Sequence, residues 1–142
     1  MPTSEAVVLD THVWLDVAFG RGRFKRAVMR KLERAGEQSV LYVAAITPWE
    51  VAMLARAGKL RVAGSLLGWL MAALSATRTA VAPLDPEVAV DAVELPVWQH
   101  GDPADRLIVA TARRLGATLV TRDGAILEYA DEVKGLRAIE PG

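Results

Sequence analysis

Two patterns of apolar residues alternate along the chain. A short continuous apolar run, typical of a strand buried on both faces, lies at residues 6–9. Further strands are predicted at residues 40–44, 79–84 and 118–121, and an edge strand at 136–139. Apolar residues at helical spacing, several stretches ending at a glycine, lie at residues 24–35, 48–57, 65–76, 86–94, 103–115 and 125–130. Strands that alternate with helices favour right-handed crossovers. We therefore predict an α/β fold with a parallel sheet covered on both faces by helices.

Length and composition narrow the class of protein. A chain of 142 residues without repeats or linker-like stretches predicts a single domain over residues 1–142. The absence of cysteine excludes disulfides, thiolate metal sites and cysteine nucleophiles. The start of the chain lacks a secretory pattern, and the apolar stretch 66–74 is far shorter than the roughly 20 residues that span a bilayer. We expect a soluble cytoplasmic protein without a membrane partner.

Charge is balanced overall but uneven along the chain. The 17 basic residues equal the 17 acidic residues in number, so net charge names no partner. Within residues 21–34, Glu33 is the single acid among seven basic residues, namely Arg21, Arg23, Lys25, Arg26, Arg30, Lys31 and Arg34. Such a segment could hold phosphates, or it could be a solvated helix face, and the sequence leaves both interpretations open.

Four acidic residues occupy positions that lead to one edge of the predicted sheet. Asp10 directly follows the first strand, and Asp123 lies two residues after the fourth. Glu50 lies in the first turn of the helix after the second strand, and Asp105 in the first turn of the helix before the fourth. Ligands of open parallel sheets bind outside the carboxyl ends of the strands. We predict that Asp10, Glu50 and Asp123 meet there, joined by Asp105 if its helix is entered from that side.

Most of these acids also have a purely structural explanation. Thr47 and Glu50 have the spacing of a capping box, in which Thr47 caps a helix and Glu50 reaches back to the cap. Asp102 and Asp105 repeat the arrangement. Asp123, which precedes a glycine, is typical of a turn or a helix N-cap.

Asp10 has the weakest structural explanation, because it caps nothing unless a helix begins at Thr11 or His12. Four carboxylates at one edge would repel each other and raise each other's pKa unless a cation lay among them. A hard divalent cation with oxygen ligands relieves that repulsion and can activate water beside a phosphate. The only histidines, His12 and His100, are too few for a zinc cluster.

Segments in the same order resemble the PIN-domain ribonucleases, in particular the VapC-type toxins of bacterial and archaeal toxin–antitoxin pairs. The first motif is VLDTHVWL at residues 8–15, and the second is TPWEVA at 47–52. The third is HGDPADRLIVATA at 100–112, and the fourth is LVTRD at 119–123. No motif is decisive alone, but the ordered set is specific and extends over nearly the whole chain.

The resemblance implies a PIN-like, Rossmann-like three-layer domain with a central sheet of about five parallel strands, and a Mg²⁺- or Mn²⁺-dependent endoribonuclease. The metal-binding and catalytic acids that it implies are Asp10, Glu50, Asp105 and Asp123. By analogy, Asp10 and Asp105 are the main metal ligands, while Glu50 acts as a base or an outer group. Thr11 and Thr121 would support the site.

Two other residues of the third motif have structural interpretations. Asp102 could be a fifth acid, but we favour its role as an N-cap. Arg106 could be a partner of Asp102 or Asp105 on the helix surface.

The resemblance also implies an RNA substrate, a homodimer and a cognate antitoxin protein. The chain offers material for interfaces, because it contains four tryptophans: Trp14, Trp49, Trp69 and Trp98. Core packing is the alternative for each of them. The segment 65–76 is apolar nearly all round, so it is either central in the core or paired with another chain.

Other functions lack their sequence signals. A phosphatase of the haloacid dehalogenase type needs a second aspartate two residues after the first, where this chain has His12. A receiver-type signalling domain needs paired acids after the first strand, and these are missing. No Walker, Rossmann or G-x-S-x-G motif is present. A PIN-like module that binds RNA or protein without cutting stays an alternative, although the four acids count against it.

Overall fold

The structure is a computed structural model that describes residues 6–99 and 101–142. His100, whose role the sequence leaves open, lies outside the described residues. The strands are β1 Val7–Leu9, β2 Leu41–Ala44, β3 Ala80–Ala82, β4 Thr118–Val120 and β5 Arg137–Ile139. The helices are α1 Thr11–Phe19, α2 Arg26–Glu37, α3 Ile46–Arg56, α4 Leu66–Ala76, α5 Pro86–Val93, α6 Pro103–Leu115 and α7 Gly124–Glu132.

The strands of the described residues form one parallel sheet in the order β3-β2-β1-β4-β5. In the central strand β1, Val8 pairs with Tyr42 on one side and with Leu119 on the other. Strand β5 lies at an edge, as predicted. The α/β class and the parallel sheet of about five strands are therefore confirmed for the described part of the chain.

Successive residues of β1 point to opposite faces of the sheet and divide the core. Val7 and Leu9 belong to an apolar cluster with Trp14 of α1 and Leu32 of α2. Val8 belongs to a cluster on the other face with side chains of α6 and α7. Because helices cover both faces, β1 and β4 are wholly buried, which explains the continuous apolar sequence of β1.

The pattern did not predict helix α1. Its consecutive residues Val13, Trp14 and Leu15 are all buried, so the apolar positions do not show a helical period. The helix ends where Gly20 adopts a left-handed conformation with φ 64°. As a consequence, Asp10 does cap a helix, which the sequence left open.

Helix α4 lies at the periphery and not in the centre of the core. Only Leu70 of this helix is buried, while Leu67 and Met71 are 69% and 60% exposed. On α3, which packs against α4, Trp49 is 57% exposed. Within the described residues no helix combines the length and the apolar content needed to cross a bilayer.

Candidate active site

Asp10 lies at the carboxyl end of β1 and is held by two hydrogen bonds. As the N-cap of α1, its Oδ1 accepts from the backbone N–H of Thr11 at 2.8 Å. Its Oδ2 accepts from Thr121 Oγ1, just after β4, at 2.6 Å. The two central strands thus fix one carboxylate at the point where both of them end.

A pair of threonine hydroxyls connects α1 with α3. Thr11 Oγ1 donates to Glu50 Oε1 at 2.5 Å and lies 2.8 Å from Thr47 Oγ1. Because a hydroxyl carries one proton, Thr47 must donate to Thr11 in this arrangement. The buried Thr47 therefore orients the hydroxyl that holds Glu50 beside Asp10. No spacing rule in the sequence points to this role of Thr47.

This geometry corrects the predicted capping box. Helix α3 begins at Ile46 with Ala45 as its N-cap, and no side chain caps it. Thr47 and Glu50 turn instead toward Thr11 of another element. A capping box satisfies the amides of its own helix, whereas these polar groups hold two helices together.

Asp123 and Asp102 both cap helices, as the sequence suggested. Asp123 Oδ1 accepts from the N–H groups of Ala125 and Ile126 at the start of α7. The backbone N–H of Asp123 donates to Thr121 Oγ1 at 3.0 Å, so the hydroxyl that binds Asp10 also holds the segment of Asp123. Asp102 Oδ1 accepts from Ala104 N at the start of α6.

Asp105 lies half-buried in the first turn of α6, and its carboxylate accepts no hydrogen bond from the described residues. The pKa of Asp105 is raised from 3.8 to about 7, and burial is the largest cause. The charges of Asp102, Asp123, Asp10 and Glu50 contribute the rest of this increase, in decreasing order. Because the charges of all these carboxylates affect the pKa of Asp105, Asp105 lies near them. Helix α6 therefore begins at the same edge of the sheet, which was the condition for placing Asp105 with the other acids.

The pKa values of two other acids are shifted in the same direction. Burial raises the pKa of Asp10 above its usual 3.8, in spite of the hydrogen bonds from Thr121 and Thr11 that favour the charged form. Burial also raises the pKa of Glu50 above 4.5, opposed by the bond from Thr11 and supported by the charge of Asp10. At this edge burial is the main cause of the raised pKa values, and neighbouring carboxylates add to it.

The donor set suits a hard divalent cation. All its candidate ligands are carboxylate oxygens, and those of Asp105, the second oxygen of Glu50 and the second oxygen of Asp123 accept no hydrogen bond from the described residues. A cation there would remove the repulsion that raises these pKa values. Among residues 6–99 and 101–142, no three acids or histidines are already spaced to surround one ion. Side chains would have to turn to close around it.

His12 of the first motif and Arg106 of the third motif lie outside the set of four acids. His12 is exposed in the first turn of α1, and its charge lowers the pKa of Asp10 and Glu50. Arg106 pairs with neither Asp102 nor Asp105, so its interpretation as their partner on the helix surface was wrong. It donates instead to the carbonyl oxygens of Ala92 and Val93 at the end of α5, where a cation satisfies free helix carbonyls.

Comparison with known proteins identifies the family. The PIN domain matches residues 7–132 of the chain. Over 117 residues the chain is 41% identical to Ribonuclease VapC22 of Mycobacterium tuberculosis, covering 82% of this chain and 86% of that protein. The chain belongs to the PIN-domain family. The predicted resemblance to VapC-type ribonucleases is therefore confirmed.

Solved structures agree on the fold. VapBC2 from Rickettsia felis, bound to a DNA fragment from its promoter, matches with a TM-score of 0.67 at 17% identity and covers 95% of this chain and 98% of that chain. FitAcB from Neisseria gonorrhoeae matches with a TM-score of 0.58 at 24% identity, covering 95% and 97%. At these identities the likeness is evidence for the PIN fold alone.

Proposed function

We propose that this chain is a metal-dependent endoribonuclease, the toxin of a VapC-type toxin–antitoxin pair, which hydrolyses RNA phosphodiester bonds at Asp10, Glu50, Asp105 and Asp123. The observation that carries the proposal is the gathering of these carboxylates at one edge, where burial and mutual repulsion bring the pKa of Asp105 to about 7. The 41% identity to a ribonuclease supports the same activity.

The proposal also names the metal ion, Mg²⁺ or Mn²⁺. PIN-domain nucleases of the VapC type are metal-dependent in general. All-oxygen donors favour Mg²⁺ or Mn²⁺ over softer ions. When bound, such an ion would lower the pKa of a water molecule and stabilise the charge that builds on the phosphate.

The side chains have separate roles in this proposal. Asp10, fixed by Thr11 and Thr121, and Asp105, whose carboxylate accepts no hydrogen bond from the described residues, would be the main ligands. Glu50, tethered by one oxygen to Thr11, would use the other to accept a proton from the attacking water. Asp123 would complete the set from the start of α7.

Protein partners are also part of the proposal. As the resemblance to VapC-type toxins implies, we expect a cognate antitoxin and a second copy of this chain as partners; the similar structures of VapBC2 and FitAB are each bound to DNA. Apolar pairs one turn apart on α3 and α4 offer a surface for an interface, namely Trp49 with Met53 and Leu67 with Met71. We place this activity in the cytoplasm, where RNA is translated, in one domain over residues 1–142.

Incubation with labelled RNA tests the activity. We expect cleavage with Mg²⁺ or Mn²⁺ and none with EDTA, and restored cleavage when the metal is returned. Binding of RNA without cleavage under every metal condition would instead indicate a non-catalytic PIN module. Growth arrest on expression, relieved by the product of the adjacent gene, tests the role as a toxin.

A further inference from the structure

The segment between α1 and α2 is strongly basic and leads to the edge of the sheet that carries the acids. No acidic residue lies between Asp16 and Glu33 in the sequence, while Arg21, Arg23 and Lys25 fall within residues 20–25. The backbone N–H of Lys25 donates to the carbonyl of Pro141 at 2.7 Å. Because Pro141 follows the carboxyl end of β5, the start of α2 lies at the carboxyl edge of the sheet.

Arg122 joins this segment to the candidate active site. It directly precedes Asp123 in the sequence and follows β4. Its Nη2 donates to the carbonyl of Arg23 at 2.9 Å, so the basic segment lies beside the β4–α7 connection. We call Arg21, Arg23, Lys25 and Arg122 the basic rim.

Asp16 of α1 holds two members of the rim. Its Oδ1 accepts from Arg21 Nε at 3.1 Å, and its Oδ2 accepts from Arg122 Nη1 at 2.6 Å. Gly22 packs so closely that a Cβ there would lie 2.9 Å from Asp16 Oδ2, and its φ of 87° also favours glycine. The carboxylate is thus the point at which segment 20–25 and Arg122 meet.

Aromatic rings fix the two guanidinium planes further while leaving them accessible. Arg21 lies over the ring of Phe19 at 4.9 Å, and Arg122 over the ring of Phe24 at 5.2 Å. The side chains of Arg21 and Arg122 are nevertheless 58% and 37% exposed. Each guanidinium has five N–H donors, so donors remain on both after these contacts.

We propose that the basic rim binds phosphates of the RNA strand that enters the acidic edge, and that Asp16 is the residue that positions Arg21 and Arg122 for this contact. This inference rests on the proposed ribonuclease function and extends it to the substrate. A cluster of carboxylates repels a polyanion, so the strand needs cations beside the cluster to bring it near. The rim supplies them on the side of β4 and β5, starting at the residue next to Asp123.

Replacing Asp16 separates positioning from simple charge. Asp16→Asn removes one negative charge, so a merely attractive surface would bind RNA more tightly. If Asp16 positions the arginines, the same variant binds more weakly, by about five- to tenfold, the loss expected for one or two phosphate contacts. Asp16→Glu keeps the charge and should lose less affinity.

The experiment measures binding of a labelled single-stranded RNA to the full chain in EDTA, over a series of KCl concentrations. We expect Arg21→Gln and Arg122→Gln to weaken binding and to lower the logarithmic salt slope by about 0.7 for each lost contact. Arg114→Gln is the matched control, because this substitution removes the same charge and Arg114 is exposed at the end of α6 opposite to Asp105. It should leave affinity close to the parent's.

Steady-state cleavage then distinguishes positioning from general damage. Asp16→Asn should raise KM and leave kcat unchanged, and its unfolding midpoint in urea reports whether the fold is intact. If rim variants bind RNA as tightly as Arg114→Gln does, or if Asp16→Asn binds more tightly than the parent, the inference is wrong. Loss of affinity for polyglutamate but not for RNA would overturn it in favour of an acidic protein partner.

The result is separable from the proposed function. A parent chain that cleaves RNA together with rim variants that bind normally would remove this inference alone. A parent chain that binds RNA through the rim but never cleaves it would remove the proposed enzyme and leave the binding surface.

Discussion

Asp10, the N-cap of α1, and Asp16, within that helix, lie six residues apart, and their surroundings are opposite. Asp10 is buried among threonine hydroxyls and other acids, and within the described residues it forms no ion pair. Asp16 lies between Arg21 and Arg122 and binds both of them. Asp10 lies near other acids without an ion-pair partner in the described structure, whereas the charge of Asp16 is balanced by two arginines.

The difference indicates what each acid does. Burying a carboxylate among like charges is unfavourable, so such an arrangement is typical of sites that bind a cation or carry out a reaction. A carboxylate between two guanidinium groups needs no external cation and fixes the geometry of its neighbours. We therefore assign the acidic edge to chemistry and the surroundings of Asp16 to the placement of substrate.

The largest effect should come from Asp10→Asn. Loss of a residue that only orients a metal ligand lowers activity or metal affinity by about 10–100-fold, and loss of a direct ligand should lower it more. We therefore expect the cleavage rate of Asp10→Asn to fall by more than about 100-fold. Stability should stay the same or rise, because a buried charge among like charges is removed. RNA cleavage with Mn²⁺ and urea unfolding in EDTA measure the two effects. A variant that cleaves as fast as the parent would refute the assignment of Asp10.

Thr121→Val should have the next largest effect. The substitution removes the hydroxyl that donates to Asp10 and accepts from the N–H of Asp123. We expect cleavage to fall by about 10–100-fold, with a weaker apparent affinity for the metal. Metal titrations of the cleavage rate provide the measurement.

Thr111→Val is the matched control for that variant. Thr111 is also buried, but its hydroxyl donates only to Leu107 of its own helix. Its loss should change stability slightly and activity very little. Equal losses of activity in both variants would mean that the Thr121 contact has no special role.

The stability of the metal-free chain should depend on pH through Asp105. Its pKa is about 7 in the folded chain and 3.8 ordinarily, so between these values the folded chain keeps a proton that the unfolded chain has lost. The stabilisation of the folded chain by this proton is complete below about pH 4 and is lost as pH rises through about 7. For a half-exposed group we expect the free energy of unfolding to fall by about 1–2 kcal/mol, less than the full pKa shift implies because solvent screens the charge.

Urea unfolding in EDTA between pH 5 and pH 8 measures this loss. Asp105→Asn should flatten the dependence, and added Mg²⁺ should stabilise the parent more at pH 8 than at pH 5, since protons compete with the metal. A parent whose stability rises over this range as steeply as that of Asp105→Asn would contradict the raised pKa.

The smallest effect should come from Gly22→Ala. The new Cβ would press on Asp16 in a backbone conformation that favours glycine, so we expect a few-fold weaker binding of RNA and a loss of about 1 kcal/mol in stability. Gly20→Ala is the control, because Gly20 has a similar φ of 64° but open space around it. If both variants bind RNA alike, the close contact with Asp16 does not matter for the rim.

Much of the fold could be predicted because burial leaves a direct trace in the sequence. Strands covered on both faces need continuous apolar runs, and the predicted helix at residues 103–115 agrees with α6, bounded by Pro103 and Gly116. Helix α1 escaped prediction because it is buried on several sides and shows no polar face. The acids at strand ends were found by topology, whereas the Thr47–Thr11–Glu50 connection and Asp16 lack any local signal.

The sequence by itself determined the alternation of strands and helices, and hence that Asp10 and Asp123 leave neighbouring strands at one edge. Only the tertiary structure decided that Glu50 turns toward Thr11 and not toward its own helix, and that Asp16 binds arginines from two distant segments. Periodicity reports which side of an element is buried. The partner of a polar side chain depends on what the rest of the fold brings within hydrogen-bonding distance, and no local pattern encodes that.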